Sequence, residues 1–394
     1  MKNRDGSITA GVPVVSNDAS GAVFAQATTD ATGMATLDVP AHGSVSAFTN
    51  ETLRFEVWTV FDPPPGVTLR PYKLDQPTQM KLAPGSRLQV TATNLPAGIT
   101  SVSVGDMCTT VTGPTTPLVI DTTCVPGTFP LSTTDIVVIA YAGTTPKAWG
   151  HSTPTPLNGA MTAIQVAVNN TNFDAVSSAI SPIRAGTSYA NTIVTPLLAN
   201  TALPILQAGA EWGLPQPPSL SATDLVPSIG GGQYTALDWI EVDSGSAKSV
   251  TEWNQVASTP TAFTLDPSTV PLVSMEPLDV SDVSRPTMRW DASPGDLGSI
   301  GFGEVDWTSG TSSHAWTTEM APAYGLSVQM PEVPAALASF APDASAMIDI
   351  ASLGYFKASI WPDYATAVST PTGTFPALST AFLSVTAQTM ATTP

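Results

Sequence analysis

Apolar residues in this chain come in short runs, many of them alternating with Ser, Thr or charged residues, and Gly, Pro, Asn and Asp separate the runs. A period of two over such lengths is the pattern of a strand with one buried face. The run Leu53–Phe61 shows it well: Leu53, Phe55, Val57 and Phe61 fall on one side, and Arg54, Glu56 and Trp58 on the other. Arg87–Thr93, Thr100–Val104, Pro117–Ile120 and Ala160–Val168 read as further strands, the last closed by Asn169-Asn170. Asp135–Tyr141 is almost wholly apolar, which suits a central strand covered on both faces. Thr195–Ala210, rich in Leu and Ala, reads as a strand pair or a short helix, and Tyr234–Val242 as a strand. Near the end, Ile300–Trp307 and Ser313–Thr317 form an expected hairpin across Thr308–Thr311, after a strand entry at Pro286–Trp290. Ala344–Phe356 and Ser359–Val368 supply more strands, or one short helix near Ala335–Phe340, and the tail after Thr386 is expected to fray.

The pattern is sharpest in Gly11–Val45, where three apolar runs (Val12 and Val14, Val23–Ala27, Met34–Val39) are separated by two turns. Asn17-Asp18-Ala19-Ser20-Gly21 and Thr29-Asp30-Ala31-Thr32-Gly33 both set an Asp three residues before a Gly. An Asp opening a type I turn accepts backbone N–H groups, and the Gly takes the positive φ that returns the chain to strand. Calcium binding by Asp18 and Asp30 is the functional alternative, but the ion needs six to eight oxygens and D-x-x-G offers too few.

These residues carry a resemblance. G-V-P-V-V-x-x-D-x-x-G from Gly11 to Gly21, followed by T-T-D-A-T-G-M-A at 28–35, resembles carboxypeptidase-regulatory-like (transthyretin- or prealbumin-like) domains. That resemblance covers about the first 75 residues and implies an Ig-type sandwich of the kind appended to secreted bacterial proteins. The whole chain resembles surface lipoproteins of myxobacterial type, in which such a domain precedes further β-modules. Neither resemblance implies catalytic residues.

Composition widens the picture. Of 394 residues only 11% are charged, while 37 are Pro and 29 Gly. With Ser and Thr standing in for Lys and Glu at the surface, strands and turns are favoured over long solvent-facing helices. The expected fold is all-β: serial antiparallel β-sandwich modules of Ig/transthyretin-like and fibronectin-type-like form, at residues 7–75, 76–156, 157–284 and 285–394. A net charge of −18, with no basic cluster to offset it, disfavours nucleic acid and anionic lipid as partners. Cys108 and Cys124, sixteen positions apart, suggest one local disulfide in an oxidising compartment. Closing such a loop stabilises by about 3 kcal/mol. The competing reading is two free thiols in a cytosolic protein, and zinc spacing is lacking. No apolar run is long enough for a membrane span. Met1–Gly6 leads into strand-like residues without an apolar leader, which together with the composition suggests a mature or truncated form of an extracellular or cell-surface protein, outer-membrane associated if lipid-anchored.

Candidate chemistry is sparse. There is no G-x-S-x-G, no H-E-x-x-H, and the glycines Gly230–Gly232 lack the Lys and Ser/Thr of a phosphate loop. His42 sits in a turn and His151 in a Pro/Thr-rich connection. The best local cluster is Glu304, Asp306, His314 and Glu319 with Trp290, Trp307 and Trp316. Strand alternation is expected to put Glu304, Asp306 and His314 on one face. Paired carboxylates beside aromatic rings suit sugar binding or glycoside hydrolysis, although a solvated face opposite a Trp-lined core arises from the same alternation. Nothing points to a cofactor or a metal. Three functions follow: a non-enzymatic surface protein acting as spacer, adhesin or glycan contact, a glycan-active hydrolase using Glu304 and Asp306, or a subunit of a surface assembly with a cell-surface protein partner.

Overall fold

Strands and tight turns account for nearly all regular structure in the computed structural model. It describes residues 9–51, 54–69, 87–105, 110–121, 133–152, 155–156, 161–183, 186–198, 201–202, 208–212, 219–228, 234–242, 248–256, 262–265, 271–358, 361–369 and 380–389. The fold is all-β, and the described residues form several sheets and no closed barrel. Cys108, Cys124, Leu53 and Gly230–Gly232 lie outside the described residues.

Residues 87–168 make a two-sheet sandwich. One sheet has the order Met161–Ala167, Arg87–Thr93, Leu118–Asp121, and the other Thr145–His151, Val137–Ala142, Ser101–Gly105, Thr110–Gly113. Val137–Ala142 is central, as its apolar run requires, and its residues from Val137 to Ala140 are buried on both faces. The first and last strands pair in parallel, Leu88 with Thr162 and Val90 with Ile164. Between the sheets lie Leu88, Val90, Val104, Ile120, Ile136, Val138 and Val166, every one from within this stretch. Trp149 packs on the outer side with Phe173, and its indole N–H donates to the Asn172 carbonyl at 2.7 Å.

A second body is knitted from distant parts of the chain. One sheet of thirteen described strands contains Pro13–Asn17, Val23–Thr28, Ser44–Glu51 and Arg54–Phe61 together with Ile300–Ser309, Ser312–Met320, Met347–Ala358 and Thr380–Thr389. The junction is a parallel pair, Arg54–Phe61 against Ser312–Met320, with Trp58 opposite Thr317. Stretches that the sequence divides into a first and a last module therefore share a sheet. They also share a core, in which Val15, Phe48, Val57 and Phe61 pack with Met288, Trp290, Val305, Trp307, Trp316 and Leu353. The first turn is bound into the same body. Glu332 N–H donates to the Gly21 carbonyl at 2.8 Å, and Arg285 Nη2 to the Ser20 carbonyl at 3.1 Å. Gly21, at φ +80°, leaves room there, since a Cβ would come 2.3 Å from that guanidinium nitrogen.

Three local expectations change. Met34–Val39 is not a strand, because the place beside Pro13–Asn17 is filled by Ser44–Glu51. Within Ser359–Val368 a helical turn, Tyr364–Ser369, replaces a strand, since Asp363 caps it by accepting Thr366 N–H at 2.8 Å. Beyond Thr386 the chain stays paired, Thr389 with Ile350.

Candidate functional site

The hairpin of Ile300–Ser309 and Ser312–Met320 has two faces with different chemistry. Directly opposed residues of an antiparallel pair share a face, and the register sets Trp307 against His314, Val305 against Trp316 and Gly303 against Thr318. This face enters the core. A Cβ on Gly303 would stand 2.6 Å from the Met288 terminal methyl, so glycine there lets Met288 close over the strand. On the other face Phe302, Glu304, Asp306 and Thr308 stand opposite Glu319, Thr317, Ala315 and Ser313.

His314 consequently does not join Glu304 and Asp306. The hairpin register is even across the turn, which puts His314 with Trp307 in the core, 5% exposed. Its ring is stacked between Trp307 at 5.2 Å and Phe55 at 4.9 Å, nearly parallel to both. Burial pushes its pKa down, with Asp343 opposing the shift. Trp290, Trp307 and Trp316 are buried as well, at 0–1% exposure. Trp290 Nε1 donates to the Tyr355 hydroxyl at 2.9 Å and Trp316 Nε1 to Thr59 Oγ1 at 3.1 Å. These three rings hold the core and offer no face to a sugar.

Glu304 and Asp306 remain together on a half-buried face, joined by residues from the parallel junction. Arg54 stands across from Ser313 and Glu56 across from Ala315, with Arg54 Nε bonded to Glu56 Oε1. Burial is the largest reason that the Glu304 carboxyl is raised, followed by repulsion from Asp306, with Arg54 acting against both. Asp306 is raised by burial too, again opposed by Arg54, with Asp349 adding repulsion. Asp306 Oδ1 is buried without a hydrogen-bond partner. Small side chains at Ser313, Ala315 and Thr317 separate the carboxylates of one strand from Arg54 and Glu56 of the other. Such an arrangement raises both carboxyls by burial beside a cation that opposes the shift. The sequence signal for Arg54 and Glu56 was their alternation in Leu53–Phe61; their partner strand lies some 250 residues on, so the cluster itself is not legible there.

Glu319, the remaining acid of the sequence cluster, is buried on this same side beneath Tyr364, at the end of the strand away from Arg54. Its carboxyl is pushed up to about 7 by burial, and Trp58 Nε1 donates to Oε1 at 3.2 Å.

Asp18 and Asp30 act as turn residues. Asp18 Oδ1 accepts from Ser20 N, Ser20 Oγ and Ala22 N, and Asp30 Oδ1 from Thr32 N, Thr32 Oγ1 and Met34 N. Asp282 and Asp343 repeat the device with Ser284 and Ser345. Among the described residues no three His, Cys, Asp or Glu side chains are grouped to hold a metal. No described helix is long and apolar enough to cross a membrane. No family model matches the chain, and no curated protein matches it.

Proposed function

We propose that this chain is a non-enzymatic, secreted or cell-surface protein whose β-sandwich modules serve as spacer or contact surface for a glycan or a cell-surface protein. One observation carries the reading. Residues 9–61 return to residues 300–358 in a single sheet, so the sandwich of 87–168, with a core of its own, is an insertion in a knitted base. A base closed through the two ends of the described chain is suited to holding an inserted module mechanically. The acidic surface and the use of aspartates as turn caps fit the same role. The test is a screen of the full chain on a glycan array and on intact cells, beside a variant in which 87–168 is replaced by a short linker. Binding that vanishes with the insertion supports the reading. Binding retained in full by the deleted form overturns it.

A second reading, a glycan-active hydrolase, is favoured by the raised carboxyls of Glu304 and Asp306, since a protonated carboxyl can serve as general acid. Release of reducing sugar from a glycan panel, abolished in Glu304→Gln, would establish it. A third, membership of a surface assembly, draws on Val23–Thr28, an uncharged strand at the end of the large sheet with Phe24 58% exposed. Edge strands of this kind are open to pairing with another chain, and self-association lost in Phe24→Lys is its readout.

A further inference from the structure

Glu319 is a buried acid that the proposed function does not use. It is 5% exposed and lies opposite Phe302 on the side of the sheet away from His314. Over this part of the sheet runs the segment Trp361–Ser369. Ser299 Oγ donates to the Trp361 carbonyl, and the Tyr364 hydroxyl donates to the Phe61 carbonyl at 2.7 Å and reaches the Glu319 carbonyl at 3.5 Å. Trp361, Ala367 and Val368 pack on Trp58, Val60, Ile300 and Phe356.

Among the described residues the titratable groups around this place include Glu304, two positions along from Phe302 on the same face, and Asp363 at the start of the helical turn. Tyr364 comes from the segment itself and Tyr324 from the turn beyond Met320, with Asp62 near both hydroxyls. Asp62 is paired with His42 at 3.5 Å. From Ile300–Ser309 the facing side chain is Phe302, and from Arg54–Phe61 it is Trp58. Among the described residues Lys357 is held by Asp296 at 2.6 Å. An ionised carboxylate sealed in without a cation is costly, whereas a neutral carboxyl accepting one indole N–H is not.

We infer that Trp361–Ser369 is a cap whose closure requires a neutral Glu319, so that raising the pH opens it and uncovers the apolar strip Trp58, Val60, Ile300 and Phe356. The closed form holds the proton to about pH 7, while a solvated glutamate releases it near 4.5. The opening constant therefore rises about tenfold per pH unit between those values and levels off above them.

Hydrogen exchange of the full chain from pH 5 to pH 8, corrected for intrinsic base catalysis, tests this. The Ala367 amide, bonded to the Asp363 carbonyl, is expected to lose protection by roughly 50- to 100-fold over that range. Glu319→Gln, which keeps the acceptor for Trp58, should abolish the slope and keep the cap closed at pH 8. Tyr364→Phe should lower protection at every pH and leave the slope unchanged. A flat wild-type profile overturns the inference, as does a slope that survives Glu319→Gln. An Ala367 amide that is no less protected than the Val305 amide at pH 8 overturns it too, since that reports opening of the whole body rather than the cap.

Discussion

The sandwich of 87–168 and the knitted body solve the same packing problem with different residues. Between its sheets the first holds aliphatic side chains such as Leu88, Val90, Val104, Ile120 and Val138, all from one continuous stretch. The second joins Val15 to Tyr355 and fills its centre with Trp290, Trp307, Trp316, Phe48, Phe61 and Met288. In the first, the hairpin of Val137–Ala142 and Thr145–His151 has its register set by the turn, and the parallel pair of Arg87–Thr93 and Met161–Ala167 is aligned within one continuous stretch by aliphatic packing. A parallel pair of strands far apart in the chain has no turn, and a slip of one residue would reverse every side chain. Here the indoles set the register. Trp316 donates to Thr59, 257 residues away, and Trp58 to Glu319, 261 residues away. A large apolar ring with one directional donor both fills the core and fixes the alignment.

That contrast can be broken most forcefully at Trp316. Trp316→Ala should cost about 4 kcal/mol and move the midpoint of the knitted body in urea unfolding, while the transition of 87–168 stays in place. If both move together, the two bodies unfold as one and the contrast fails. Leu88→Ala should do the reverse, costing about 3 kcal/mol in the sandwich alone.

Electrostatics sharpens the comparison further, because described buried ionisable groups flank the junction of the knitted body. Glu319 has its folded pKa raised from 4.5 to about 7, so its favourable state is complete below 4.5 and is lost as the pH rises through 7. Glu319→Gln should accordingly gain about 3 kcal/mol at pH 8 and nothing at pH 4. His314 has the opposite sign. Its folded pKa lies below the ordinary 6.5, so its contribution is present above 6.5 and fades as the pH falls through the folded value. Denaturant midpoints measured across pH should show both slopes in the knitted body and neither in 87–168. The smallest effect is expected at Asn17, whose side-chain amide donates to the Gly21 and Glu332 carbonyls at 3.0 Å each. Asn17→Ala should cost about 2 kcal/mol, read as a shift in thermal midpoint.

What the sequence makes legible follows the same division. Val137–Ala142 as a central strand, the hairpin at Ile300–Met320 and the aspartate turns at Asp18 and Asp30 all rest on neighbours in sequence, and periodicity with turn chemistry is enough to find them. The face shared by Glu304 and Asp306 is equally local, as i and i+2 on one strand. His314 went to the other face because register across the turn, rather than alternation along one strand, decides it. Arg54 and Glu56 reach the acidic face through the parallel junction, for which neither strand carries a local signal. The cap at Tyr364–Ser369 had one, Asp363 set three residues before Thr366, hidden inside a run that also alternates like a strand.

The parallel junction has a consequence for how the protein is made. Chain synthesis delivers Arg54–Phe61 long before Ser312–Met320, and in between the early strands have an open edge and half a core. The sandwich of 87–168, complete in itself, can fold while that edge still waits. Throughout this interval the first strands are the part of the nascent chain most open to pairing with a neighbour. A ribosome stalled between residues 168 and 312 would leave a chain with one finished module and one adhesive edge.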